Sequence, residues 1–137
     1  MSVIEELIRT ESDGSISFGN HSLKEKAKKE GFESAGDIYK VKTFATMTKL
    51  EKNGLFLYES VPGTSVSSLK ETADGVAFTV SGSGDAQITV GLTESTDYNV
   101  RVEGVDIAKM STNMGGKLVI SLELGEGEEK KVEITKA

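Results

Sequence analysis

Hydrophobic and polar residues alternate with a period of two along much of the chain, which is the pattern of half-buried β-strands. The clearest alternation runs through residues 38–42, 76–80 and 118–124. No comparable stretch shows a convincing helical period. The pattern predicts strands at residues 3–10, 15–19, 37–43, 46–52, 55–61, 65–71, 76–81, 86–92, 97–103, 105–111, 117–124 and 130–135.

Glycine-containing pairs separate these strands and predict tight hairpins. They are Asp13-Gly14, Asn53-Gly54, Asp74-Gly75 and Glu103-Gly104. Such pairs suit type I′ turns, in which both central residues take positive φ. Antiparallel strands at this regular spacing predict an all-β sandwich or double-sheet domain of about ten to twelve short strands.

Residues 22–30 allow two interpretations. Ser22 and Glu25 have the spacing of a capping box, and Gly31 is suited to end a helix after a run of helix formers. The lysines of the segment also alternate as they would on an exposed edge strand, where lysine discourages further pairing. The capping signals favour one short helix over residues 22–30.

Length and composition predict one domain. The chain has 137 residues with no Cys, no Trp, 1 His, 1 Pro and 15 Gly, so neither disulfides nor cysteine-ligated zinc support the core. Residues 82–85 lie in the most linker-like stretch, and a division of the chain into two domains would fall there. A connection of this length is also ordinary for a hairpin, so residues 1–137 are interpreted as one unit.

The net charge of −6 argues against a nucleic-acid partner, because a phosphate backbone favours basic surfaces. Most of the deficit lies in residues 69–137, which carry 7 basic and 12 acidic side chains. An acidic surface of this kind serves solubility, and an acidic docking face is the functional alternative. The sequence shows neither a signal peptide nor an apolar run of membrane-spanning length, so we expect a cytoplasmic protein without a membrane partner.

The residue types that carry catalysis are scarce. His21 is the only histidine, and Ser15, Ser17 and Ser22 are the nearby hydroxyls that a triad would need. Carboxylates on the expected turns lack the spacing of a calcium loop. They are Asp13, Asp37, Asp74, Asp85, Asp97 and Asp106. We therefore expect no catalytic residue, no bound cofactor and no metal site.

A binding surface is expected around two tyrosines and the only proline. Tyr39 lies among charged residues, and Tyr58 is followed closely by Pro62-Gly63. Pro-Gly suits the central positions of a type II turn. The sequence therefore predicts a candidate binding surface at Tyr39, Tyr58, Pro62 and Gly63.

Residues 92–102 resemble the tyrosine corner of fibronectin type III and related immunoglobulin-like sandwiches. Leu92 precedes Tyr98 by six positions, and Val100 and Val102 alternate with the tyrosine. In that corner the tyrosine hydroxyl anchors the turn into a strand. The resemblance covers about the last third of the chain, and it implies an immunoglobulin-like C-terminal half with a structural role for Leu92 and Tyr98.

Three stretches, residues 39–43, 48–54 and 58–64, resemble a group of short bacterial β proteins, some of which are called endosialidases. Sialidase-type catalytic domains are propellers, and a six-bladed propeller has about 24 strands of about 5 residues. Such a propeller would consume nearly the whole chain. Sialidases also gather arginines around the sugar carboxylate, whereas this chain has only Arg9 and Arg101.

These observations favour a non-catalytic binding or assembly module that acts through a protein partner or through self-association. Many strands create edges that need partners or protection. The alternative is a carbohydrate-binding module that uses the tyrosines, and a small hydrolase that uses His21 or a carboxylate pair is the third interpretation.

Overall fold

Thirteen β-strands make up the regular secondary structure of residues 3–137, the part of the chain that the computed structural model describes. The strands are β1 (Ile8–Thr10), β2 (Ile16–Phe18), β3 (Ala27–Ser34), β4 (Asp37–Thr43), β5 (Thr48–Lys52), β6 (Leu55–Val61), β7 (Thr64–Thr72), β8 (Gly75–Gly82), β9 (Ala86–Gly91), β10 (Asp97–Val102), β11 (Val105–Ser111), β12 (Lys117–Leu122) and β13 (Glu129–Lys136). Within the described residues there is no helix long and apolar enough to cross a membrane.

The strands form two antiparallel sheets, neither of which closes on itself. The seven-stranded sheet has the order β1-β2-β7-β8-β13-β10-β11, and the six-stranded sheet has the order β12-β9-β6-β5-β4-β3. Apolar side chains alternate toward the space between the sheets, as in a sandwich core. The all-β prediction is therefore confirmed.

Both halves of the sequence contribute to both sheets. The connection at residues 83–85 leads from β8 in one sheet to β9 in the other. β9 pairs with β6, and β13 pairs with β8. Each sheet therefore contains strands from before and after this connection.

Three aromatic rings lie at the centre of the core. Tyr58 from the six-stranded sheet packs edge-to-face between Phe18 and Phe78, with ring centroids 5.2 and 5.7 Å apart. Each ring is at most 2% exposed. Such a pair contributes about 0.5–1.5 kcal/mol beyond its buried area, so this cluster binds the two sheets together.

The helix prediction for residues 22–30 is wrong, because β3 occupies residues 27–34. Ala35 and Gly36 both have positive φ and turn the chain back, so that β3 pairs with the strongly alternating β4. Gly31, with φ of 69°, lies in a bulge of β3 and does not cap a helix. Strand pairing thus outweighs the local helix propensity, and the edge-strand alternative describes this segment.

Two of the four predicted type I′ turns have the expected backbone. Asn53-Gly54 and Glu103-Gly104 take positive φ at both positions, whereas neither Asp13 nor Asp74 does. The strand expected at residues 3–10 is limited to β1.

Candidate functional site

Each open sheet has two edge strands, and the edges meet in pairs at the two sides of the sandwich. The Thr10 hydroxyl on β1 donates a hydrogen bond to the Ser34 hydroxyl on β3, with the oxygens 2.8 Å apart. Because the sheets stack face to face with β1 against β3, the far edges of the two sheets, β11 and β12, are on the opposite side. We call this the β11–β12 side.

The side formed by β1 and β3 is protected against further pairing. β1 has only 3 residues. β3 carries exposed Lys28 and Lys29, and its register with β4 is interrupted by a bulge. Short length, lysine and bulges are the devices by which edge strands avoid other strands.

The β12 edge is regular and open. Its register with β9 is continuous over residues 117–122, without a bulge. The amide of Leu92 donates to the carbonyl of Gly116, so alternation directs the N–H and C=O groups of residues 118, 120 and 122 toward β9. The backbone groups of Val119 and Ser121 therefore point away from the sheet, and both side chains are exposed.

Exposed apolar side chains concentrate on the same side. Of the seven large hydrophobic side chains exposed in residues 3–137, four belong to β11, β12 or the loop between them. They are Val105, Ile107, Met114 and Val119, at 62%, 52%, 86% and 41% exposure. Exposed apolar side chains on or near unpaired strand edges are typical of an interaction surface.

The predicted surface at the tyrosines does not form. Tyr39 is 7% exposed and Tyr58 is fully buried, so both belong to the core. Burial raises the pKa of both phenols. The Tyr58 hydroxyl shares a hydrogen bond with the Thr64 hydroxyl at 2.7 Å. The alternation of β4 and β6 directs both tyrosine side chains into the core, although charged residues flank Tyr39 in the sequence.

Pro62 and Gly63 also differ from the prediction. The Val61-Pro62 peptide bond is cis, and Gly63 lacks the positive φ that a type II turn requires. Gly63 is buried, and a Cβ atom there would lie 1.9 Å from the carbonyl oxygen of Phe44. Glycine at this position therefore allows two backbone segments to approach each other.

His21 lies in the interior. Its Nδ1 atom is 2.7 Å from the Oγ atom of Ser65, and the two residues are 4% and 1% exposed. Ser65 is 44 positions away in the sequence and was not among the hydroxyls predicted to partner His21. A histidine and a serine at this distance have the first contact of a catalytic pair, but their burial gives the contact a structural role.

Among the described residues, five of the six turn carboxylates, all but Asp74, accept hydrogen bonds from neighbouring protein groups. Asp13 accepts a hydrogen bond from the amide of Ser15, and Asp37 accepts one from the side-chain amide of Asn53 at 2.9 Å. The bond from Asn53 lowers the pKa of Asp37. No group of three or more His, Cys, Asp or Glu side chains able to hold a metal occurs within residues 3–137.

Tyr98 is 1% exposed, and its hydroxyl accepts a hydrogen bond from the amide of Thr93 at 3.2 Å. Leu92 packs partly buried against the core. The tyrosine thereby ties β10 to the connection that precedes it, five residues upstream.

A cleft of about 550 Å³ lies at the end of the sandwich that carries the β5–β6 turn. At its margin the Lys52 ammonium is 3.3 Å from a Glu71 oxygen and 3.6 Å from an Asp37 oxygen. Burial lowers the pKa of Lys52, but the carboxylates outweigh burial and the net shift is upward. The lysine therefore joins β5 to β7 of the other sheet through a partly exposed ion pair. The cleft is lined by Lys52, Asn53, Leu55, Phe56, Leu57, Glu71, Gly91, Leu92 and Gly115.

No protein-family model, curated protein or solved structure matches the chain. The fold class is an antiparallel β-sandwich, and its distinguishing surface is the β11–β12 side. Sequence reasoning missed this surface because it depends on which strands lie at the edges. Strand order is a property of the whole sheet, which the pattern of a single strand does not reveal.

Proposed function

We propose that this protein is a non-catalytic assembly module that binds a protein partner through the β11–β12 side. The observation that supports this function is the contrast between the two sides of the sandwich. One side carries short, bulged and lysine-rich edges, and the other carries the regular edge of β12, a bulged β11 and four exposed apolar side chains.

The chemistry of the edge favours a protein partner. Val119 and Ser121 present N–H and C=O groups at the spacing of a β-ladder, which another extended chain satisfies directly. The exposed Val119 adds apolar contact area on β12 itself, and the exposed Val105 and Ile107 lie on the edge strand of the other sheet. The carbohydrate interpretation relied on Tyr39 and Tyr58, and these rings lie in the core.

Sedimentation velocity over a wide range of protein concentration tests this function. We expect concentration-dependent association of the wild-type protein, and we expect Val119→Lys or Ile107→Lys to remove it by placing a charge in the contact. Ile38→Lys is the matched control, since Ile38 is 50% exposed on β4, away from this side. Association that survives both β11–β12 substitutions would contradict the proposed function.

A further inference from the structure

We infer that the partner is a second copy of this chain, and that the two β12 strands pair antiparallel about a twofold axis at Ile120. This inference rests on the proposed function and names the occupant of the same surface. Pairing of this kind would join the two six-stranded sheets into one continuous sheet. Each copy would contribute the same strand, as a twofold interface requires.

The backbone of β12 fits this register. With Ile120 on the axis, Val119 of one copy lies opposite Ser121 of the other, and both present outward N–H and C=O groups. Each such pair exchanges two hydrogen bonds, so the two pairs form about four bonds between the copies. At Lys117 the amide already donates to the Asn113 side chain and the carbonyl accepts from the Asn113 amide. The ladder therefore ends at that residue.

The charges at the two ends of β12 select this register. Lys117 lies three positions before Ile120, and Glu123 lies three positions after it on the same exposed face. The twofold axis therefore brings the side chains of Lys117 of one copy and Glu123 of the other to the same end of the ladder, beside Asn113, which occupies the main-chain position opposite Lys117. The next antiparallel registers centre on Val119 or Ser121, and both separate these opposite charges.

Both charged groups are available for this contact. Glu123 has no cationic nitrogen within 4.0 Å among the described residues, and Lys117 is likewise without a carboxylate. The Lys117 ammonium instead lies 4.7 Å from the centre of the Phe56 ring. Phe56 lies on β6, two strands inward from the β12 edge, so Lys117 would exchange this ring contact for Glu123 of the second copy.

The arrangement also limits growth to a pair. A twofold contact uses each β12 edge once, and the opposite edge of the combined sheet is β3 in both copies. β3 carries lysines and a bulge, which oppose the addition of further strands. The expected product is therefore a closed dimer.

A charge-swap experiment tests the inference by sedimentation velocity. In the dimer, Lys117→Glu and Glu123→Lys each create two pairs of like charges, one at each end of the ladder. We expect each variant to raise the dimer dissociation constant at least about tenfold. The double variant Lys117→Glu/Glu123→Lys restores opposite charges, and we expect dimerisation near the wild-type level. Lys42→Glu on β4 is the control with the same charge change, and circular dichroism checks that every variant folds.

The outcomes separate the inference from the proposed function. Single reversals without effect, or a double variant that is no better than the singles, would overturn the β12–β12 register. If Val119→Lys still removed association in that case, the surface would stand and the register alone would fail. Association that Val119→Lys leaves intact would overturn both. A monomeric wild-type protein would overturn the inference of a second copy and leave the surface to a different protein partner.

Discussion

The imidazole of His21 and the hydroxyl of Ser65 meet at 2.7 Å inside the sandwich, across 44 positions of sequence. The Nε2 atom of the same ring is buried without a hydrogen-bond partner among the described residues. Burial disfavours the charged imidazolium and lowers the pKa of His21. The burial of His21 therefore couples the stability of the fold to pH.

We expect the free energy of unfolding to decrease as the pH falls from about 7.5 to about 5.5. The unfolded chain binds a proton at the ordinary histidine pKa of about 6.5, whereas the folded protein resists protonation until a lower pH. The loss is about 1.4 kcal/mol for each unit by which the pKa is lowered. Urea unfolding at several pH values measures it, and His21→Asn should flatten the dependence. Equal pH slopes in the two proteins would contradict this role.

Thr64 is the centre of a buried hydroxyl cluster, and we expect Thr64→Val to destabilise the protein by about 2 kcal/mol or more. Its hydroxyl lies 2.7 Å from the hydroxyls of both Tyr58 and Ser60, which are fully buried. Removing it takes a hydrogen-bond partner away from two interior hydroxyls. Chemical denaturation provides the measurement.

The control for Thr64→Val removes the stranded partners as well. Adding Tyr58→Phe and Ser60→Ala to Thr64→Val should recover part of the lost stability, because no buried hydroxyl then remains unpaired. Additive losses in the triple variant would show that the cluster contributes through packing alone.

Gly63→Ala should destabilise the fold by about 3 kcal/mol or more, near the upper end for single substitutions. The added Cβ would lie 1.9 Å from the Phe44 carbonyl oxygen, so the backbone must move. Gly84→Ala is the matched control, since a Cβ there meets nothing within 4 Å. Thermal unfolding compares the two, and similar melting temperatures would refute the close approach at Gly63.

Tyr98→Phe should cost about 1 kcal/mol of stability, because the Thr93 amide loses its acceptor. Tyr39→Phe is the comparison, since the Tyr39 hydroxyl has no hydrogen-bond partner among the described residues. Denaturant midpoints of the two variants measure the difference. If Tyr39→Phe cost as much as Tyr98→Phe, the corner hydrogen bond would not explain the loss.

Local alternation predicts most of the strands well. The bounds of β4, β6 and β11 agree with the prediction. In each case either the hydrophobic residues alternate clearly along the strand, or a recognisable turn precedes it. β3 was missed because it forms by pairing with β4, and the turn that makes this pairing possible is Ala35-Gly36. Alanine rarely adopts positive φ, so that turn has a weak sequence signal.

The candidate site was less accessible to sequence reasoning. The burial of Tyr39 and Tyr58 follows from which face of the strand meets the other sheet, and the contact between His21 and Ser65 follows from long-range pairing. Lys117 and Glu123 are visible in the sequence, but their spacing gains meaning only when β12 is known to be an edge. The fibronectin-like character of the C-terminal half stays a prediction.

Amide hydrogen exchange at Val119 and Ser121, followed by NMR at increasing protein concentration, tests the central claim most directly. These amides point away from β9, so in a monomer they exchange freely with solvent, whereas the amide of Ile120 is bonded to β9 in either state. We expect protection at Val119 and Ser121 to rise with concentration while protection at Ile120 stays constant. Rapid exchange of both amides at every concentration would contradict an assembly built on β12.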